Sequence, residues 1–313
     1  MTVWLDLQPS TYQPHALHDL GALYPLTNCW ADVVIELLHA HGDEPLACLG
    51  AALSVDHEGD QFTFFKPRAQ DLEELYGVDI HEMQPYRRLR DQVSEQLERR
   101  RTVIVETDAW WLPDTAGDSY RREHVKTSIA VADLDEDNQR LVYFHNGGLH
   151  ALDGEDFANT LADDLPGLPP YVELVRFDAG PGLAGTDLHA AARDLLPVHL
   201  SRRPGINPFT SFLAQVEREI PLLAELDEQQ VHGLAFATTR MAGAAAVLSA
   251  AHVRWVLGDM GEPAAGCLDK VAGATRTLTV RFARKRAFDP APLVEAMAQD
   301  WSEALERLDE LAG

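Results

Sequence analysis

Three cysteines in 313 residues, at positions 29, 48 and 267, are too few and too odd in number for a disulfide framework, and they fit a reducing compartment. Cations are scarce as well. The chain has 26 Lys+Arg against 50 Asp+Glu, a formal charge of −24, with 13 against 33 in residues 1–180 and 13 against 17 in residues 181–313. So acidic a surface argues against nucleic acid as a partner. No apolar run reaches the roughly 20 residues of a membrane span, and the most apolar stretch, Met241–Leu257, is interrupted by Ser249, His252 and Arg254. It reads as a packed core helix. The opening MTVWLDLQPS lacks the basic and apolar regions of a secretory leader. These lacks together predict a cytoplasmic protein with no membrane partner. Also missing are CxxC and HExxH patterns, so His39, His41, Cys48 and His57 do not make a zinc set; no metal and no bound cofactor are expected.

What the chain does have is centred on residues 23–42, LYPLTNCWADVVIELLHAHG. Trp30, Val33, Val34, Leu37 and Leu38 form one helical stripe. Thr27 and Asn28 precede it as N-cap candidates and Gly42 stops it. Cys29 therefore lies in the first turn of a buried helix, where unpaired backbone N–H groups and the helix dipole favour a thiolate. The alternative is that Cys29 is a small buried hydrophobe.

The remainder divides near 181–185, PGLAG. Before it, short strands dominate: 61–65 (QFTFF), 102–107 (TVIVET), 124–131 (HVKTSIAV), 141–145 (LVYFH), 150–152 and 171–177 (YVELVRF), with helices at 71–76, 86–101 and 155–161. After it, five helical segments are punctuated by Pro197, Pro204, Pro263 and Pro290. The expected architecture is an α+β domain over residues 1–180 followed by an all-α helical domain over 181–313.

A cysteine nucleophile needs a base and a group that orients the base. His124 opens one strand of a hairpin, and Asn146 follows the returning strand, so an antiparallel pairing is expected to bring them together. Cys on a helix start, then His, then Asn on neighbouring strands, is the papain-like order.

The segments LYPLTNCW, QFTFFKP, DLEELYG, VIVETDAWWLPDTAGDSYRREHVKT and YFHNGGLHALDGEDF resemble a bacterial family, domain of unknown function 1839. That family is distantly similar to the papain-like N-terminal domain of the butirosin biosynthesis acyltransferase and to bacteriocin-processing cysteine peptidases. The resemblance implies a papain-like cysteine-peptidase fold, with Cys29 as nucleophile, His124 as base and Asn146 as orienting residue. The peptidases generally have Asp at the last position. The oxyanion-hole Gln of papain-like enzymes is missing, leaving the Cys29 N–H with the Asn28 or Thr27 side chain. The implied reaction moves an aminoacyl group from a carrier-protein phosphopantetheine thioester through acyl-Cys29 to an amine, in small-molecule biosynthesis. The phosphopantetheine then belongs to the acyl or aminoacyl carrier protein. A peptidase or amide/thioester hydrolase with the same triad, and a catalytically silent binding module, are the alternatives.

Other residues join this reading. Glu106 and Asp108 share a strand face and could hold an ammonium group. Lys126 shares the face of His124 and could meet a phosphate or carboxylate, or pair with Glu123 or Glu106. Trp110, Trp111 and Tyr120 could wall a pocket. Arg281, Arg284, Lys285 and Arg286 form the dense basic cluster of the second domain, either a docking patch for an acidic carrier protein or a helix end complementing its dipole.

Overall fold

The computed structural model describes residues 2–18, 28–161 and 169–312. Packing divides them into two units. The first holds residues 2–18, 29–45, 69–161 and 169–183; the second holds Asn28, 46–68 and 184–312. Residues 46–68, placed with the 1–180 domain in the sequence reading, thus belong to the helical unit.

The first unit is mixed α and antiparallel β. Its elements are β1 (Thr2–Val3), α1 (Cys29–His41), α2 (Ala69–Tyr76), β2 (Asp79–Glu82), α3 (Leu89–Glu98), β3 (Thr102–Asp108), β4 (Lys126–Asp135), β5 (Arg140–His145), β6 (Gly148–Asp153), α4 (Gly154–Thr160) and β7 (Val172–Arg176). The sheet runs β2-β7-β3-β4-β5-β6, every pairing antiparallel, and β1 adds to the far end of β4. β-Branched residues make β3 a buried strand, as the TVIVET run predicts. α1 packs across β4 and β5 and is buried all round from Trp30 to Leu38, wider than the stripe read from the sequence.

The chain leaves this unit at a close backbone crossing. Gly77 has φ +64°, and a Cβ there would strike the carbonyl of Gly180, while one on Gly182 would come 2.7 Å from the Tyr76 carbonyl. Leu183 N–H then donates to Leu75 O at 2.8 Å. The PGLAG stretch is therefore strapped to the end of α2 at Gly182 and Leu183.

The second unit contains the 3₁₀ stretch Pro45–Ser54 from Leu46 onward, and α5 (Gly185–Ser201), α6 (Pro208–Glu219), α7 (Glu228–Ala235), α8 (Met241–Leu257), α9 (Glu262–Ala283) and α10 (Ala291–Ala312). One π turn, Phe236–Arg240, joins α7 to α8. Asn207 caps α6, and Asp227 with Gln230 forms a capping box on α7. α9 packs between α8 and α10, with Ala-rich α8 allowing close approach. An apolar window of mean hydropathy 1.3 within residues 228–283 is 67% buried here, which is the pattern of a core helix. The expected strand at 61–65 is an isolated bridge, His57 to Phe62. Phe62 instead packs against His57, Phe209 and Phe212 and gives its N–H to Ala237 O at 2.9 Å, a tertiary position that overrides strand propensity.

Two fully buried imidazoles, His199 and His252, flank Gly50; a Cβ on Gly50 would lie 2.7 Å from each ring. His252 Nδ1 donates to Leu46 O at 2.8 Å. Burial, then His252 and the nearby Arg202 and Arg68, hold His199 at about 3, and burial holds His252 at about 4. Both are neutral when folded and protonated when unfolded below about 6.5, so stability falls as pH drops from about 6.5 toward 4. Urea unfolding at a series of pH values should show this loss, and His199→Asn with His252→Asn should flatten it.

Candidate functional site

α1 begins at Cys29, and its Sγ lies 3.8 Å from Ser128 Oγ on β4. In the β3–β4 ladder Glu106 faces Ser128 and Asp108 faces Lys126. Cross-strand partners share a face and alternate residues return to it, so Ser128, Lys126, Glu106 and Asp108 lie on the side that meets Cys29. Lys126 Nζ pairs with Glu106 Oε1 at 2.7 Å. Beyond Lys126, His124 donates from Nδ1 to Asp108 Oδ2 at 2.6 Å, and Asp108 Oδ1 accepts from the backbone of Trp110 and Val125. The Trp110 ring stacks on His124, 4.5 Å apart and 10° from parallel. The imidazole is thereby held by Asp108 at Nδ1 and by Trp110 on one ring face, and stays largely exposed, with Nε2 making no hydrogen bond among the described residues.

The dyad opens on a pocket of about 450 Å³ lined by Glu106, Asp108, His124 and Lys126, with Trp111, Leu161, Pro169, Pro170 and Tyr171 among its apolar walls. Tyr171 OH donates to Glu173 Oε1 at 2.9 Å, and Trp30 Nε1 donates to Glu173 Oε2. One carboxylate therefore ties the start of α1 to the pocket wall. Burial, then the Glu173 hydrogen bond, pushes the Tyr171 phenol up to about 12. Trp110 and Tyr120 fall outside the lining: Trp110 backs His124, and Tyr120 donates to Asp156 Oδ2 at 2.9 Å.

The three residues read as a triad do not hydrogen-bond to one another among the described residues. The β4–β5 register runs Ala130 to Phe144, with a bulge at Ala132, so its continuation puts Ser128 opposite Asn146 and leaves His124 four residues, about 13 Å, further along the strand. The orienting partner of His124 is Asp108. Asn146 sits in the β5–β6 turn with φ +48°, its amide 3.3 Å from His145 Nδ1. Asn28 donates to Phe65 O at 2.8 Å; Thr27 lies outside the described residues.

Two buried clusters escape the motif reading. His145 Nδ1 meets Asp114 Oδ2 at 2.6 Å, its Nε2 meets Thr127 Oγ1 at 2.8 Å, and Tyr143 OH donates to Asp114 Oδ1 at 2.5 Å. This network pins the loop that carries Trp110 and Trp111. Burial works against ionising Asp114, but the His145 hydrogen bond and charge win and lower its pKa. The second cluster lies along α1, where Asp32 and Glu36 follow Cys29 at i+3 and i+7. His18 bridges them, Nδ1 to Glu36 and Nε2 to Asp32 Oδ1 at 3.2 Å, and Tyr12 OH joins Glu36 at 2.5 Å. Two carboxylates on a helix buried on all sides require a cation, and the nearby upstream His15 and His18 were the signal available. Elsewhere, Cys267, Asp300 and Glu303 could offer a metal three ligand atoms, but Lys270 and Arg307 already pair the two carboxylates.

His18 yields the sharpest stability prediction here. Burial opposes its charge, but hydrogen bonds and charge from Asp32 and Glu36 raise it to about 9. Its contribution is complete below about 6.5 and is lost as pH rises through about 9. At pH 7, His18→Gln should cost about 3–5 kcal/mol by stranding two buried carboxylates. The gap between wild type and variant, measured by urea unfolding, should narrow above pH 9.

A search of the curated proteins finds no match to the chain. Family models do match: the DUF1839 N-terminal domain over residues 13–177 and the DUF1839 C-terminal domain over residues 185–310. Together they span nearly all of the sequence, and the chain belongs to the DUF1839 family.

Proposed function

We propose that this protein is a cytoplasmic cysteine-dependent acyltransferase, its first unit a papain-like domain related to the butirosin biosynthesis acyltransferase and bacteriocin-processing peptidases. The observation that carries the reading is the single sheet face with Cys29 at one end, heading α1, and the oriented Asp108–His124 dyad in a pocket at the other. A carrier-borne phosphopantetheine thioester meets the Cys29 thiolate; the acyl–sulfur bond to pantetheine breaks and its thiol leaves. An amine then attacks acyl-Cys29, the new C–N bond replaces the C–S bond, and His124 Nε2 takes the amine proton. Substrate binding must shorten the span between dyad and thiol for that last step. The 3.8 Å approach of Ser128, with no imidazole on Cys29 among the described residues, favours as second reading a binding module that keeps the fold.

Intact-protein mass spectrometry with aminoacyl-phosphopantetheine thioesters separates the two. Acyl transfer predicts a mass increment that Cys29→Ala abolishes, and an increment that persists in His124→Ala because aminolysis slows about 10²- to 10⁴-fold. Hydrolysis would release the acid whether or not amine is present; no increment with any thioester would favour the binding module.

The basic cluster supports carrier docking at two of its four residues. Arg281 lies over Phe288 and Lys285 Nζ donates to Leu226 O, whereas Arg284 and Arg286 are exposed and make no ion pair among the described residues. Reversing both charges should raise KM for carrier-borne thioester about tenfold and leave free pantetheine thioesters unaffected. An unchanged carrier KM would rule the patch out.

A further inference from the structure

The pocket walls differ chemically from the dyad that opens it. Leu161, Pro169, Pro170 and Trp111 offer an apolar surface on one side. On the other, Glu106 uses Oε1 for Lys126, while its Oε2 has no hydrogen bond among the described residues. Asp108 already accepts from His124 and two backbone N–H groups, so its main part is to orient the imidazole. Among the described residues of the lining, two carboxylates, Glu106 and Asp108, stand against one lysine, Lys126, a balance that favours a cation and disfavours a carboxylate.

We propose that this pocket takes a primary amine bearing an apolar or aromatic body, its ammonium between Glu106 Oε2 and His124 Nε2 and its body on Trp111, Leu161, Pro169 and Pro170. The inference rests on the acyltransfer reading for its role, naming the class of the acceptor, but binding itself needs no Cys29. The ammonium gives one proton to His124 Nε2, the free amine attacks acyl-Cys29, and the proton then lost from nitrogen goes to the departing Cys29 thiolate. The apolar wall selects against water-like and small hydrophilic acceptors, because a bare ammonium leaves that surface wet.

The test uses the full chain with Cys29→Ala, titrated with 2-phenylethylamine, 3-phenylpropionate and ethylamine and followed by calorimetry. Saturable binding of phenylethylamine, at least tenfold tighter than either comparison ligand, is the expected result. Glu106→Gln should weaken it about tenfold, the cost of one charge-assisted contact at a half-exposed site. Trp111→Ala should narrow the gap between phenylethylamine and ethylamine, with the thermal midpoint checked for each variant. Equal binding of phenylpropionate, or an unchanged affinity in Glu106→Gln, would overturn the proposal. Amine binding without amide formation by the wild-type protein and thioester would retire acyl transfer and leave the amine site standing.

Discussion

Which side chains this fold can bring together is decided by the pairing of β4 with β3. That ladder sets Glu106 against Ser128 and Asp108 against Lys126, and everything around the pocket follows from it. α1 covers one end of the resulting face, so Cys29 meets Ser128. The open end leaves room for the loop after β3, whose Trp110 ring backs the imidazole. The opposite face of the same strand sends Thr127 to His145 and, through Asp114, fixes that loop from below. One strand thus serves both faces, and a slip of a single residue would exchange them.

Much of this was readable from sequence. Strand runs such as TVIVET and YVELVRF, and the start of α1 at Cys29, followed from β-branched content and helical spacing. The mixed α and antiparallel β class and the helical C-terminal region followed too. Register did not, because the acidic run after Val131 reads as a turn, whereas β4 continues through it to Asp135 and shifts the whole pairing. Asp133 pairs with Val142 and Val131 with Tyr143, skipping Ala132, and β4 begins only at Lys126. Counting back from the Asp135–Arg140 pair puts Asn146 opposite Ile129, or opposite Ser128 once the bulge is included, and in neither case opposite His124. Glu106, Asp108 and Lys126 gathered as expected around His124, since i, i+2 spacing on a strand is a local property.

Long-range polar partners were the other blind spot. Asp32 and Glu36 look like the wet side of an amphipathic helix until the sheet and the N-terminal segment enclose it. Only then does His18 become necessary as their counter-ion. Phe62 likewise reads as part of a strand, yet its neighbours Phe209 and Phe212 lie some 150 residues downstream.

The order of segments between the two units has a consequence for how such a gene can change. Residues 46–68 belong to the helical unit although they lie between α1 and α2 of the other. A cut between the two matched regions, between residues 177 and 185, leaves the first fragment carrying an orphaned piece of the second core. The buried Gly50, wedged between His199 and His252, would lose both rings in such a fragment. Neither unit can then be exchanged, duplicated or fused elsewhere as a contiguous cassette. The boundary between the two matched regions is therefore not the boundary between the two packed cores.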